Sequence, residues 1–545
     1  MGVTEAVPPA RRATSPGRVN RSAWAIAAVV LAALFVGYAR LRWPGALPLG
    51  SDNDEYLLVG QALASFEAPV VAGVEGTKYP LGFPLLLAVF DWLGLPPAPA
   101  ALVTNLVVLA TATGVLAWVA GRSYGMWPAS PGAALAAGGV LVTSAAVWND
   151  VYSVMPEIPL LAVVVAILVT LDAPLTNRRV LVLALLGAVA VALKTLALPL
   201  VVGGAVVLWL AAKTNPALLT LPGGGLLDGP PRRRSPAITL IPAGSAVAVA
   251  AFGHVLMLPY PEHTTGYLAT FPLVDPDDAS QGRLGPAGLA SRAISDTPEA
   301  LRDLGRAIAW IDAGTAAAAT VAVVGLLVGI VGALRLRRSG PLGPFVAGAV
   351  LAYAAAMAAW PYNSSRFGLP LVPVAALGAA WIVREVGTIS ARPATSDSPL
   401  EGASDSARPS SHRAEVAVSL AFLAVLVLSS WSAVADRAAS ASETLPRQHE
   451  ALDVLAVWAD AELADAEVVS FDYREVSRRL DRDVQPIGYT SDPEALLAQI
   501  GDADYLVVLD FYAKRNAQAR ALLDAYPERF TEVMSDEAVT VYRVD

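Results

Sequence analysis

Tyr79-Pro-Leu-Gly-Phe-Pro-Leu-Leu-Leu-Ala-Val-Phe-Asp91-Trp-Leu-Gly-Leu95 is the stretch whose reading decides the topology of this chain. It is apolar, but it is short, it holds Pro80 and Pro84, and it carries Asp91 inside. A transmembrane helix needs about 20 mostly apolar residues at about 1.5 Å of rise each. Apolar runs that read as spans lie on both sides of it, at 23–39, 98–121, 132–148, 156–172, 179–197, 198–212, 237–258, 313–334, 341–360, 366–386 and 414–434. Many are rich in Ala, Gly and Val, small residues that let helices approach closely in lipid.

The distribution of basic residues decides whether 79–95 crosses. If it does not, the N-terminal Arg11, Arg12, Arg18 and Arg21 share one side with Arg122, Arg178, Arg179, Lys213, Arg232 to Arg234, Arg335, Arg337, Arg338 and the segment from Arg384 to Arg413. If it does, the N-terminal cluster opposes all the others. The stretch is therefore expected to be a juxtamembrane or re-entrant helix. The sequence then predicts a polytopic α-helical membrane protein with about eleven spans and a cytoplasmic N-terminus. The first span is followed by Arg40-Leu-Arg42-Trp-Pro44 and no small-residue cleavage site, so it is expected to stay uncleaved.

Composition agrees. Of 545 residues 55% are hydrophobic and only 16% charged, where soluble chains run near a quarter charged. The net charge of −9 is an average: acidic residues gather in the tail and a few loops, basic ones between apolar runs. Nothing points to a nucleic-acid partner. The absence of cysteine excludes disulfides and Cys-ligated metals. His254, His263, His412 and His449 show no paired ligand spacing, so no metal site is expected from them.

The expected layout is a cytoplasmic tail (1–22), a transmembrane core (23–387) with external loops 43–97 and 259–312, a disordered cytoplasmic linker (388–413), a final transmembrane helix (414–435) and a small extracytoplasmic α/β domain (436–545). The linker is a Ser/Ala/Pro/Asp tract without hydrophobic pattern. In the tail a charged helical stretch (448–464) precedes strands near 467–472, 484–489 and 505–510, helices at 493–500 and 513–525, and a closing pair near 530–534 and 538–544. That alternation predicts a mostly parallel sheet. No GxGxxG or Walker motif is present, and the domain is expected to be a packing or acceptor-docking module without chemistry of its own.

Ionisable residues near a bilayer mark function by default, and here they gather at one boundary. The first external loop holds Asp52, Asp54 and Glu55 at the start of a helix-like stretch, then Tyr79. Asp150 and Glu157 flank the turn between two spans, Lys194 and His254 lie late in theirs, and Tyr362 and Arg366 precede another. An Asp can take a proton from an attacking hydroxyl, and Lys and Arg can bind and stabilise a departing phosphate. The structural alternatives are N-capping by Asp52 or Asn53 and interfacial snorkelling or ion pairing by Lys194 and Arg366.

Asp54-Glu-Tyr56 after the first span, followed by Tyr79-Pro-Leu-Gly82-Phe-Pro84, resembles the GT-C glycosyltransferases, and within them the branch of protein O-mannosyltransferases and lipid A aminoarabinose transferases. Lys194 late in a middle span and Arg366 before Leu-Pro-Leu-Val-Pro373 are similar to that branch as well. The resemblance covers residues 20–390. It implies a GT-C fold and an inverting transfer of one sugar from a polyprenyl-phosphate donor to a glycan, lipid or protein hydroxyl. It implies Asp54 as general base, Glu55 as its neighbour positioning base or acceptor, and Lys194 and Arg366 on the lipid phosphate. Asp52, Tyr79, Asp150, Glu157, His254 and Tyr362 complete the candidate substrate-binding set. Asp52 enlarges the usual acidic pair, so both aspartates stay candidates for the base. The chain lacks the inserted external domain of the protein O-mannosyltransferases, which weighs against protein as acceptor. No cofactor is expected. The alternative is a divalent cation on Asp52, Asp54, Asp150 and Glu157. Two other classes compete: a non-catalytic assembly factor for envelope polysaccharide, and a transporter, which would place its charges nearer mid-membrane and show related halves.

Overall fold

The computed structural model describes residues 21–43, 50–68, 70–71, 74–75, 79–122, 129–215, 218, 235–257, 272–275, 278–309, 314–336, 340–360, 364–390, 408–463, 466–488, 490, 492–511 and 513–545. The chain opens with α1 (Arg21–Arg42), α2 (Ser51–Ala64) and the strand pair β1 (Val70–Val71) and β2 (Val74–Glu75). It continues through α3 (Gly82–Trp92), α4 (Pro97–Gly121), α5 (Pro131–Thr143), α6 (Ala145–Val151), α7 (Glu157–Leu171), α8 (Asn177–Leu193), α9 (Leu198–Thr214) and α10 (Ile241–Met257). A second strand pair, β3 (Leu273–Asp275) and β4 (Asp278–Arg283), leads to α11 (Pro286–Ile308), α12 (Gly314–Leu336), α13 (Leu342–Ala359) and α14 (Val372–Ser390).

Among the described residues eight helices are long and apolar enough to cross a bilayer, and α5 with α6 would make a ninth. The shorter helices α7 and α8 carry the remaining runs read as spans from the sequence. The protein is therefore a multi-pass membrane protein. At 11 residues α3 is too short to cross, since a hydrocarbon core is about 30 Å thick. Glycines set the closest helix approaches. A Cβ on Gly203 of α9 would sit 2.7 Å from the Gly348 carbonyl of α13, and one on Gly378 of α14 would sit 2.7 Å from the Gly329 nitrogen of α12.

Two spans differ from their expected form. The run at 132–148 is broken by a 56° bend between α5 and α6. Ser144 sits at the break, accepting from the Val147 N–H and donating to the Ala307 carbonyl at 2.6 Å; a serine hydroxyl competes for backbone in this way. The run at 179–197 stops at Lys194, whose extended backbone (φ −155°, ψ 118°) precedes a short 3-10 turn.

The last span also continues past its expected end at 435. α15 (Arg408–Glu462) is a single 55-residue helix that passes through Pro446. Its distal stripe Ala451, Leu452, Leu455 and Ala459, with Leu463 just past its end, is buried against the C-terminal sheet, so the charged stretch stays helical because that face is covered. Of the expected linker, 391–407 lies outside the described residues, while 388–390 end α14 and 408–413 begin α15.

The C-terminal domain adds β5 (Val468–Ser470), α16 (Tyr473–Leu480), β6 (Gln485–Pro486), α17 (Pro493–Ile500), β7 (Tyr505–Leu509), α18 (Ala513–Ala525), β8 (Phe530–Asp536) and β9 (Val539–Val544). The sheet order is β6-β5-β7-β9-β8. β5 pairs in parallel with β6 and β7, whereas β9 is antiparallel to both β7 and β8. The sheet is thus mixed rather than mostly parallel, because the short turn joining β8 to β9 permits only an antiparallel return. Its faces bury two apolar clusters, one against α15 and one against α17 and α18.

Candidate active site

α2 begins after Gly50, whose φ of 149° favours glycine. Asp52 and Asp54 occupy its first turn, where the helix dipole favours negative charge. Among the described residues no side chain caps this end, whose N-cap is Gly50 and neither Asp52 nor Asn53. Asn53 instead accepts from the Val154 N–H at 2.8 Å and ties α2 to the turn before α7. Tyr56 stacks on Tyr79 at 4.5 Å between ring centroids, with Phe83 at its edge. A Cβ on Gly82 would lie 2.5 Å from the Ala192 carbonyl. The small residue therefore lets the Tyr79–Phe83 corner lie against the end of α8, beside Lys194.

One half of the site is built from the bundle. Arg366, in the 3-10 turn Ser365–Leu371, meets Asp52 at 2.8 Å, and the Tyr79 hydroxyl donates to the same carboxylate. Arg366 also lies 4.0 Å from Glu157, which pairs with Lys194 at 2.5 Å. Lys194 and Arg366 both face the Phe367 ring, at 4.5 and 5.1 Å. Asp150, buried on α6, interacts electrostatically with Glu157, Arg366 and Lys194. Lys194 is 3% exposed and does not snorkel; both cations are ion-paired, the pairing that the sequence left as a structural alternative.

The other half comes from the C-terminal domain. Asp54 is 0% and Glu55 2% exposed. Arg478 meets Asp54 at 2.6 Å and Arg474 meets Glu55 at 2.9 Å. These arginines are four residues apart and so share one face of α16. Asp54 also accepts from the Gly50 N–H at 3.2 Å. Burial pushes the Asp54 carboxyl up to about 7. Arg478 pulls it down against that, Glu475 pushes it up, and the Gly50 N–H and Arg474 pull it down further. Burial alone would lower Arg474, but Glu55, then Tyr473, Tyr79 and Asp52, carry it above its ordinary value. α16 is anchored behind by Arg515, which pairs with Asp472 and lies 3.8 Å from Glu475.

The structure therefore brings together Asp52, Asp54, Glu55, Tyr79, Asp150, Glu157, Lys194 and Arg366. His254 is an exposed residue of α10, which packs chiefly on α8 and α9, and it stands apart from this buried cluster. Tyr362 lies outside the described residues. Sequence reasoning missed Arg474 and Arg478 and left 473–480 without an element. The available signal was two arginines at helical spacing directly after a strand, in a chain with an acidic pair to match. Among the described residues no three His, Cys, Asp or Glu side chains are grouped to hold an ion. Asp52, Asp54, Glu55 and Glu157 each face a cation instead.

A helical membrane core with its acidic first loop folded under a C-terminal α/β domain has counterparts among solved structures. No protein-family model and no curated protein matches the sequence. Among solved structures, the chain is similar to ArnT from Cupriavidus metallidurans bound to undecaprenyl phosphate, with a TM-score of 0.56 and 13% identity over 96% of this chain and 98% of that one. It is also similar to the Archaeoglobus fulgidus oligosaccharyltransferase tethered to an acceptor peptide, with a TM-score of 0.50 and 14% identity over 95% of this chain and 74% of that one. At such identities the likeness is one of fold.

Proposed function

We propose that the protein is a membrane glycosyltransferase that moves one sugar from a polyprenyl-phosphate donor to an extracytoplasmic hydroxyl of a glycan or lipid. The observation that carries this is the buried Asp54–Glu55 pair adjoining Lys194 and Arg366 at one end of the bundle. The acceptor oxygen attacks the anomeric carbon as Asp54 takes its proton. The carbon–oxygen bond to phosphate breaks, its electron pair stays on the phosphate, and the configuration inverts. Lys194 and Arg366 hold that phosphate. They are paired with Glu157 and Asp52 here and exchange those partners for phosphate oxygens when donor binds, a role guanidinium and ammonium groups fill well. They supply the positive charge that a metal ion would otherwise provide, so no cofactor is required. ArnT bound to undecaprenyl phosphate is a fold relative with a lipid phosphate as ligand, and it supports this choice of donor.

Between Asp52 and Asp54, the buried residue is favoured as base. Asp52 is held by Tyr79 and Arg366, whereas burial leaves Asp54 near neutrality in proton affinity, where a general base works best. The basic loops would face the cytoplasm and the C-terminal domain the outside. A transporter would use charges nearer mid-membrane, and an assembly factor has no need of a buried Asp54.

The test is donor turnover by the full chain in nanodiscs, with radiolabelled polyprenyl-phosphate sugars and envelope extract as acceptor. Loss of turnover in Asp54→Asn with donor binding retained is expected. Equal turnover in both proteins would remove Asp54 from the mechanism.

A further inference from the structure

We infer that the C-terminal domain is part of the catalytic centre: Arg478, with Arg474 beside it, positions the Asp54–Glu55 pair for proton transfer. This rests on Asp54 being the base. The geometry is specific. Two guanidiniums on one face of α16 reach two consecutive carboxylates of α2, one each, at 2.6 and 2.9 Å. These carboxylates are fully buried, and a buried anion without a partner neutralises by taking up a proton. Arg478 keeps Asp54 ionised for part of the time at neutral pH and fixes its orientation.

The contact does not block the base. A carboxylate offers about four lone-pair sites; Arg478 is ion-paired with one oxygen and the Gly50 N–H donates to the other, so lone pairs remain for an acceptor hydroxyl. The Arg478 side chain is 28% exposed while Asp54 is 0%, so the cluster opens towards the domain that supplies the arginines. α16 is also firmly placed. Its start follows β5 through the Ser470 hydroxyl, which accepts from the Asp472 N–H at 3.0 Å, and Arg515 bridges Asp472 to Glu475. The domain itself is carried on α15, which is continuous with the last span. The groups acting on Asp54 are Arg478, Glu475 and Arg474 from α16 and the Gly50 N–H; Asp52 and Glu55 share its helix and are paired with Arg366 and Arg474.

The experiment is the pH–rate profile of donor turnover for the native chain, Arg478→Gln, Arg478→Lys and Arg479→Gln, all full length. Arg479 points the other way, to Asp453 within the domain, and its variant should match the native profile. Removing an adjacent opposite charge raises a carboxyl by roughly one unit or more. The acidic limb of Arg478→Gln should therefore move up by about that much, with roughly a fivefold or greater loss at pH 7 that recovers in alkali. The Arg478→Lys limb should lie between the two, and it serves as the test if the Gln variant does not fold. A faster Arg478→Gln enzyme would make the contact an inhibitory latch, and an equal loss at every pH would make it only structural; either overturns the inference. An unmoved limb in a folded variant overturns it too. In each of these cases the native enzyme is active and the transferase assignment stands. A native chain inert with every donor removes that assignment, and this inference with it.

Discussion

The bundle and the C-terminal domain each contribute ion pairs to one site, but they hold them by different means. Lys194 and Glu157 are buried among spans whose glycines and alanines bring helix backbones together. Arg478 and Asp54 are joined across a boundary between a membrane core and a separate sheet. In the first case the pair lies buried inside the bundle, with Arg366 and Asp150 as its charged neighbours. In the second, the pair exists only while the domain is docked. On the proposed reaction the bundle half would take the lipid phosphate. On the same proposal the domain half would meet the acceptor.

The largest expected effect falls on the shared element. Asp54→Asn should lower turnover by roughly 10²- to 10⁴-fold, measured with saturating donor, while donor binding changes little. Next, Lys194→Met should weaken donor binding and also destabilise the bundle by about 3 kcal/mol, because buried Glu157 loses its nearer cation and keeps only Arg366 at 4.0 Å. Thermal unfolding in detergent reads the second effect and donor titration the first. Restoration of stability, without donor binding, by adding Glu157→Gln would sharpen the distinction between packing and phosphate contact. Gly348→Leu should separate α9 from α13 and cost roughly 2 kcal/mol with the C-terminal domain untouched, which limited proteolysis of the two regions would report.

The smallest effect is a pH dependence confined to the domain side. Burial pushes Asp472 up to about 7, with Arg515 opposing and Glu475 adding to the rise. Asp54 is pushed up to about 7 by burial as well. Between about pH 4 and pH 7 the folded chain then binds more protons at these groups than the unfolded chain, whose carboxyls titrate near 3.9. Their contribution to stability therefore falls as pH rises through that window. Docking of the domain, read by hydrogen exchange in α16, should be tighter at pH 5.5 than at pH 8. The reverse trend would contradict the burial assigned to these carboxyls.

The two halves also differed in how readily the sequence disclosed them. Lys194 is conspicuous because its neighbours are Val-Ala-Leu and Thr-Leu-Ala; a charge in such a setting needs a reason. Arg366 and Glu157 stand out similarly at span ends. Hydropathy located the helical runs because lipid imposes a length on each. It did not locate the break at Ser144, which depends on a hydrogen bond to Ala307, or the continuation of α15 beyond 435, which depends on burial against the sheet. Arg474 and Arg478 were invisible for the opposite reason from Lys194. In Tyr-Arg-Glu-Val-Ser-Arg-Arg-Leu480 charges are the background, and nothing local tells a solvated arginine from one that reaches across to another domain. His254 shows the converse error: a polar residue late in an apolar run that lies exposed on α10.

The central claim is that the C-terminal domain acts through a carboxylate of the core, Asp54. A double-mutant cycle on donor turnover tests it most directly, with the native chain, Asp54→Asn, Arg478→Gln and the two combined. Residues that act as a unit are non-additive. The double variant should be no slower than Asp54→Asn alone. If the two losses multiply, Arg478 does not work through Asp54, and the site does not extend into the C-terminal domain in the way described.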